Sequence, residues 1–199
     1  MNAKTRILNA ALAVFSHHGF RRSSMELVAE AVGVTRQALY RHYANKEALF
    51  AAVAEMLHAG ALDAALAAMN DAALEDTGVA RIVFAGLHAR FKHILGRLAV
   101  SPYAAELLEE HDRHCGAITA EYGRRFQAAL AHRIECEAAR RDLGFAAGLH
   151  AEGLARYLFL GAKSLKSTIP PPAPEEFAPD LFRLVCLMID GAFDDSVSM

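Results

Sequence analysis

The stretch that most restricts what this chain can fold into runs from Leu27 to His42, Leu27-Val28-Ala29-Glu30-Ala31-Val32-Gly33-Val34-Thr35-Arg36-Gln37-Ala38-Leu39-Tyr40-Arg41-His42. Apolar residues recur at helical spacing on both sides of Val32-Gly33-Val34. The pattern predicts two short helices, about 24–31 and about 35–42, joined by a tight turn. Helices so close in sequence must cross closely. The turn then needs a residue tolerant of positive φ, which Gly33 supplies, and the first helix needs a small residue under the second, which Ala29 supplies. Leu27, Val28, Val34 and Leu39 can lock the pair. The outward face of the second helix stays polar, with Thr35 as its cap followed by Arg36, Gln37, Tyr40, Arg41 and His42.

Charge is distributed in the same sense. Residues 1–50 hold seven Lys and Arg against three Glu, a balance of +4, so with a whole-chain charge of -2 the remainder carries -6. A basic N-terminal quarter on an acidic body suggests that one end meets a polyanion.

The rest of the chain reads as helix throughout. A first helix is predicted over about 3–18, ending at Gly19 in an αL stop, with Ser23 or Ser24 capping the next. Asn45 caps a fourth, linking helix over about 45–69. Further helices are predicted over about 79–98, about 103–136 with an interruption near His114 to Gly116, about 144–168 and about 175–193. Ile169 to Pro174 contains four prolines and reads as a connection. The fold class is therefore all-α, about nine helices, with no alternating pattern that would make a sheet and no internal repeat. The domains are read as 1–47, a helix-turn-helix unit, and 48–199, a helical body, joined by the helix at 45–69.

Several classes of protein are disfavoured. Cys115, Cys136 and Cys186 are odd in number with no CxxC spacing, so a disulfide framework is not expected and a cytoplasmic location fits. Ile7 to Phe15 follows Lys4 and Arg6 as a signal peptide would, but its apolar residues fall at helical spacing and Asn9 interrupts them. No uninterrupted apolar run reaches the ~18–20 residues of a membrane span. No phosphate-binding glycine loop, nucleophile elbow or HExxH occurs, so an enzyme is not expected, and no cofactor is implied.

Extended through Tyr43-Ala44-Asn45-Lys46-Glu47-Ala48-Leu49-Phe50, the segment resembles the DNA-binding domain of the TetR/AcrR family. Ile7, Phe15, Gly19-Phe20 and Ser24 fit that family's first helix and its junction, so the resemblance covers about residues 4–50. It implies a sequence-specific, DNA-binding transcriptional regulator, most simply a repressor. Thr35 would cap the recognition helix beside the DNA backbone. Arg36, Gln37 and Ala38 would read bases in the major groove, Arg36 at guanine O6/N7. Ser24, Tyr40, His42 and Lys46 would meet phosphates, Lys46 aided by a helix N-terminus. Serine stands at 24 where threonine is commoner in the family, a change that keeps the hydroxyl. Arg21 and Arg22 read as a general basic collar.

A module this small reads few base pairs, so a homodimer on a palindromic operator is expected. The last two helices are its candidate surface, with Gly148, Gly153 and Gly161 allowing close approach and Leu181, Leu184, Val185 and Met188 as the apolar stripe. By analogy with the family, the middle helices would enclose a small apolar or aromatic effector that releases the operator. Phe84, Leu87, His88, Phe91, Tyr103, Leu107 and Phe126 are its candidate lining. Two alternatives stand beside this: a helix-turn-helix protein without small-molecule sensing, and a metal-responsive regulator using His111, His114 and Cys115, which share a helical face but lack a fourth ligand. No membrane partner is expected.

Overall fold

The computed structural model describes residues 2–98, 101–165 and 174–193. Among them are nine helices: α1 (Ala3–His18), α2 (Met25–Val32), α3 (Arg36–Tyr40), α4 (Lys46–Leu74), α5 (Val79–Leu98), α6 (Ala104–His114), α7 (Gly116–Arg140), α8 (Ala151–Leu165) and α9 (Pro174–Asp190). The all-α reading is thus met, and the caps explain most of the boundaries. Asn2 Oδ1 accepts from the Thr5 N–H at 2.8 Å and Asn45 Oδ1 from the Ala48 N–H at 2.7 Å, each satisfying a donor that the first helical turn would leave orphaned. The proline-rich connection read from the sequence falls mostly outside the described residues.

The long predicted helix at 103–136 is divided at Cys115 into α6 and α7, as its glycine suggested, while α8 starts at Ala151, later than its periodicity predicts. Asp142 at φ 53° and Gly148 at φ 81° turn the backbone left-handed in the intervening segment. The Ala146 N–H donates to the Ala192 carbonyl at 3.0 Å, beside a single antiparallel bridge between Phe145 and Phe193. Gly148 therefore belongs to a turn and not to a helix–helix contact.

The chain forms two compact units that do not follow the boundary expected at residue 47. The first comprises residues 1–60 and 97–121, the second residues 61–96 and 122–199, with α4 and α7 contributing to both. In the first unit, Ile7, Phe15, Phe20, Val28, Leu39, Leu49 and Phe50 are buried around one another, joined by Leu107 of α6. Phe50 meets Phe15 and Phe20 edge-on at 5.3 and 4.9 Å between centroids, a favoured aromatic geometry. In the second unit the core gathers Ile82, Leu87, Phe91, Phe126, Leu130, Ile134, Leu158, Leu181 and Val185.

Two groups of expected site residues are redistributed by this packing. Tyr103 and Leu107 lie in the first unit with α1, because α6 packs there, so they do not join Phe84, Leu87, His88, Phe91 and Phe126. Leu181 and Val185 are completely buried within the second unit's own core, and Met188 packs against it, so most of the stripe assigned to a dimer is interior. A Cβ on Gly161 would stand 2.9 Å from Leu184 Cδ2, so this glycine serves the approach of α8 to α9 within the subunit. The apolar side chains that these helices leave accessible are Tyr157, Leu160 and Leu187. Helix α4 is long and apolar enough to cross a membrane, but Leu49, Phe50, Val53 and Ala54 are buried in one unit's core and Ala65 and Met69 in the other's.

Candidate nucleic-acid interface

Helix α2 ends at Gly33, whose φ 76°, ψ 39° is the left-handed conformation the turn demanded. The Gly33 N–H is shared between the Ala29 and Glu30 carbonyls, and the Val34 N–H returns to Ala29 at 3.0 Å. These bonds satisfy carbonyls that the helix end would otherwise leave open. Val34 and Thr35 then lead into α3, whose first turn is capped by Thr35 Oγ1 accepting from the Ala38 N–H at 3.2 Å. Leu39 is fully buried and holds α3 down on Val28 and Ala29. Anchored on that one side, α3 leaves Arg36, Gln37 and Tyr40 exposed, with Ala38 half-buried among them and His42 exposed just beyond.

Arg36 is held and not loose. Its guanidinium meets Glu26 Oε1 at 2.7 Å and lies over the Tyr40 ring, 5.3 Å from its centroid. Hydrogen bonding with Tyr40, then the charge of Glu26, raise its pKa further above the usual arginine value. Glu26 is held below the usual carboxylate range by its own backbone N–H, by the Ser24 hydroxyl and more weakly by Arg36. Base readout by Arg36 must therefore displace an exposed ion pair, whose attraction water largely screens. Ser24 caps α2, accepting from the Leu27 N–H at 3.3 Å, and is partly open.

Lys46 does something the sequence did not indicate. Its Nζ donates to the Phe20 carbonyl at 2.8 Å and the Ser23 carbonyl at 3.0 Å, and sits 4.3 Å from the Phe20 ring centroid. The lysine clasps the start of α4 to the α1–α2 junction, using two of its three donors. Tyr43 is core filler, buried with its hydroxyl enclosed, and that burial raises its pKa. Arg6, which the motif had left aside, donates to the Val32 carbonyl at 3.4 Å and helps line a shallow hollow with Ala3, Ile7, Val34, Ala38 and His42.

The expected basic collar is likewise engaged. Arg21 pairs with Glu109 at 2.9 Å and Glu110 at 3.2 Å, while its backbone N–H donates to Glu106 Oε1 at 2.7 Å. Arg22 reaches the Tyr103 hydroxyl at 3.3 Å. Glu110, almost fully buried, also accepts from Arg113 and faces His114 at 3.4 Å. Gly19 makes room for this attachment. Its φ 76°, ψ 166° is open in practice only to glycine and is not the αL stop expected, and a Cβ there would stand 3.0 Å from the Glu106 oxygens. Partners some 85 residues apart in the chain carry no local signal, which is why the sequence reading missed them.

The three residues considered for a metal part company. His111 faces Thr119 at 2.8 Å and His58 at 3.4 Å, His114 faces Glu110, and Cys115 is buried in the apolar core, its thiol pushed up to about 11 by desolvation. Among the described residues no three His, Cys, Asp or Glu side chains gather as a metal site would require.

With this geometry established, the comparisons fall into place. Residues 7–53 match the sequence model of the bacterial regulatory proteins of the tetR family. Over 50 residues the chain is 42% identical to the HTH-type transcriptional regulator UidR of Escherichia coli K12, a match covering 25% of this chain and 26% of that protein. It is 35% identical over 54 residues to the HTH-type transcriptional repressor AcnR of Corynebacterium efficiens, covering 27% and 29%. The matched region thus spans about a quarter of the length of these relatives. Among solved structures, a TetR-family transcriptional regulator from Mesorhizobium loti superposes with TM-score 0.69 at 19% identity, covering 96% of each chain. SmeT, repressor of the Stenotrophomonas maltophilia efflux pump SmeDEF, superposes with TM-score 0.57 at 20% identity, covering all of this chain and 94% of that one. The helix-turn-helix of α2 and α3 is a DNA-binding domain of the TetR type, and the whole chain has the all-α fold of such regulators. The likeness to the tetR family in sequence is carried by residues 7–53.

Proposed function

We propose that the protein is a transcriptional repressor that binds a palindromic operator as a homodimer and is released by a small apolar or aromatic effector. The observation that carries this reading is α3 itself. It is pinned by Leu39 and capped by Thr35, yet presents Arg36, Gln37 and Tyr40 outward. Arg36 and Gln37 are the base readers, with Ala38 beside them for a thymine methyl; Ser24, Thr35, Tyr40, His42 and the remaining donor of Lys46 position the phosphates. Dimerisation would cover Tyr157, Leu160 and Leu187 on α8 and α9, apolar side chains otherwise left to water. Phe84, Leu87, His88, Phe91 and Phe126 remain the lining residues for an effector in the second unit, Phe84 stacking on His88 at 5.3 Å. A regulator of this kind would work in the cytoplasm.

The test is selection of bound sequences from random duplex DNA by the full chain and by its Arg36→Ala and Gln37→Ala variants. An enriched palindrome, relaxed at particular positions in each variant, is the expected result. Enrichment that neither substitution alters would remove α3 as the reader, and no enrichment at all would leave only backbone binding.

A further inference from the structure

The second unit contains a buried cation with no counter-charge among the described residues. Arg90 on α5 is only 2% exposed. Its Nε and Nη1 are enclosed and have no hydrogen-bond partner among the described residues. Among the described residues no carboxylate lies within ion-pair distance of it. The other buried charge of this unit shows what a settled arrangement looks like: Glu137 is met by Arg133, Arg140 and Arg141. Arg90 instead has rings, its guanidinium carbon standing 5.0 Å from the Phe126 centroid and 5.7 Å from that of Phe159.

Ring faces offset part of the lost hydration of a cation, but they accept no conventional hydrogen bond from its N–H groups. Deprotonation does not relieve the cost either. Burial pulls the guanidinium down to about 10, still well above neutrality. A positive charge therefore stays in an aromatic interior with donors that lack acceptors. Such a group is stable when an anion that the chain does not itself supply enters beside it.

We propose that Arg90 is the anion receptor of the effector site, taking a small monocarboxylate whose aromatic or aliphatic body lies among Phe126, Phe159 and Phe91. The oxygens of a carboxylate are the acceptors that the planar guanidinium lacks. Aromatic rings gather beside the guanidinium. Phe159 lies 6.4 Å from Phe91, nearly parallel at 15°, and 5.9 Å from Phe126. Gly123 faces the Phe159 ring edge and sets no side chain against it. This assignment rests on the effector-sensing reading and narrows it from apolar molecules in general to their acids.

The experiment uses the purified full chain and matched probes that differ only in charge: benzoate and benzamide, cinnamate and cinnamamide, octanoate and octanamide. Binding is followed by calorimetry and thermal shift, and release by the anisotropy of the selected operator duplex. At least one carboxylate binds the parent at millimolar concentration or below while its amide binds about tenfold more weakly or not at all. Arg90→Met, similar in volume and uncharged, abolishes that preference without loss of fold, and Arg90→Lys keeps charge selectivity at reduced affinity. Equal binding of acid and amide, retention of the preference in Arg90→Met, or no acid binding at millimolar concentration overturns the assignment. The two readings separate cleanly. Amides that bind as tightly as their acids and release the operator preserve effector sensing and remove the anion receptor. Acids that bind through Arg90 but leave operator affinity unchanged keep the receptor and remove the sensing role.

Discussion

Each unit buries charge, and Glu110 in the first and Arg90 in the second are treated differently. In the N-terminal unit, Glu110 is ringed by Arg21, Arg113 and His114, so its carboxylate is neutralised by groups the chain provides. In the C-terminal unit Glu137 is closed off in the same way, but among the described residues Arg90 has only the faces of Phe126 and Phe159. The first arrangement fixes one geometry, holding α6 to the α1–α2 junction that also positions the DNA-binding helices. The second leaves a buried cation that, on the proposed reading, awaits an anion. A domain that must present a helix in one register gains from closed networks; one proposed to respond to a small molecule would gain from an interaction left incomplete.

Opposite signs of mutational effect follow, and they give the sharpest way to break the contrast. Arg90→Met should stabilise the chain by about 1–4 kcal/mol, as apolar replacement of buried ionic groups often does. A lower urea midpoint in that variant would mean that the rings already satisfy the cation. Glu110→Ala should destabilise by about 1–3 kcal/mol, the loss of charge-assisted hydrogen bonds discounted for the exposed arginine partners. An unchanged midpoint would show that the α6 attachment contributes nothing. Gly19→Ala tests the same junction through the backbone, and its conformation and the nearby Glu106 oxygens predict a cost of about 1–3 kcal/mol. Removing the α3 cap with Thr35→Ala should cost about 1 kcal/mol and weaken operator binding more than it lowers the melting temperature.

The smallest effect concerns pH. Asp76 is held below the usual carboxylate range, first by a hydrogen bond from Arg140 and then by the charges of Arg140 and Arg141. A depressed folded-state pKa adds stability above the unfolded value, and that contribution disappears as pH falls through the folded value. Asp76→Asn should therefore narrow the gap between urea midpoints at neutral pH and at about pH 3. A gap equal to the parent's would show that the exposed pairs are screened.

Most of the geometry of the candidate DNA-reading site was legible in the sequence because its determinants are local. Gly33 must take positive φ, Thr35 must cap a helix starting one residue later, and Leu39 must face inward while Arg36 and Gln37 face outward. Each is a relation within a few residues. The readings that changed are those that depended on which helix meets which. Periodicity places Leu181 and Val185 on an apolar face, but a face toward the subunit core and a face toward a partner carry the same pattern. Tyr103 and Leu107 read as lining of the body until α6 is seen against α1. Lys46 and Arg21 read as free basic groups until their carbonyl and carboxylate partners are known.

The sequence by itself determined the helix count, the helix-turn-helix with its capped and outward-facing α3, and the kinship carried by residues 7–53. Tertiary structure alone decided that α6 joins the DNA-binding unit, that Lys46 clasps two carbonyls, and that Arg90 is buried with no counter-charge among the described residues. The division has one physical cause. Turn chemistry, capping and periodicity act over a few residues and are written in order along the chain, whereas burial and pairing of charge depend on groups that only folding brings together.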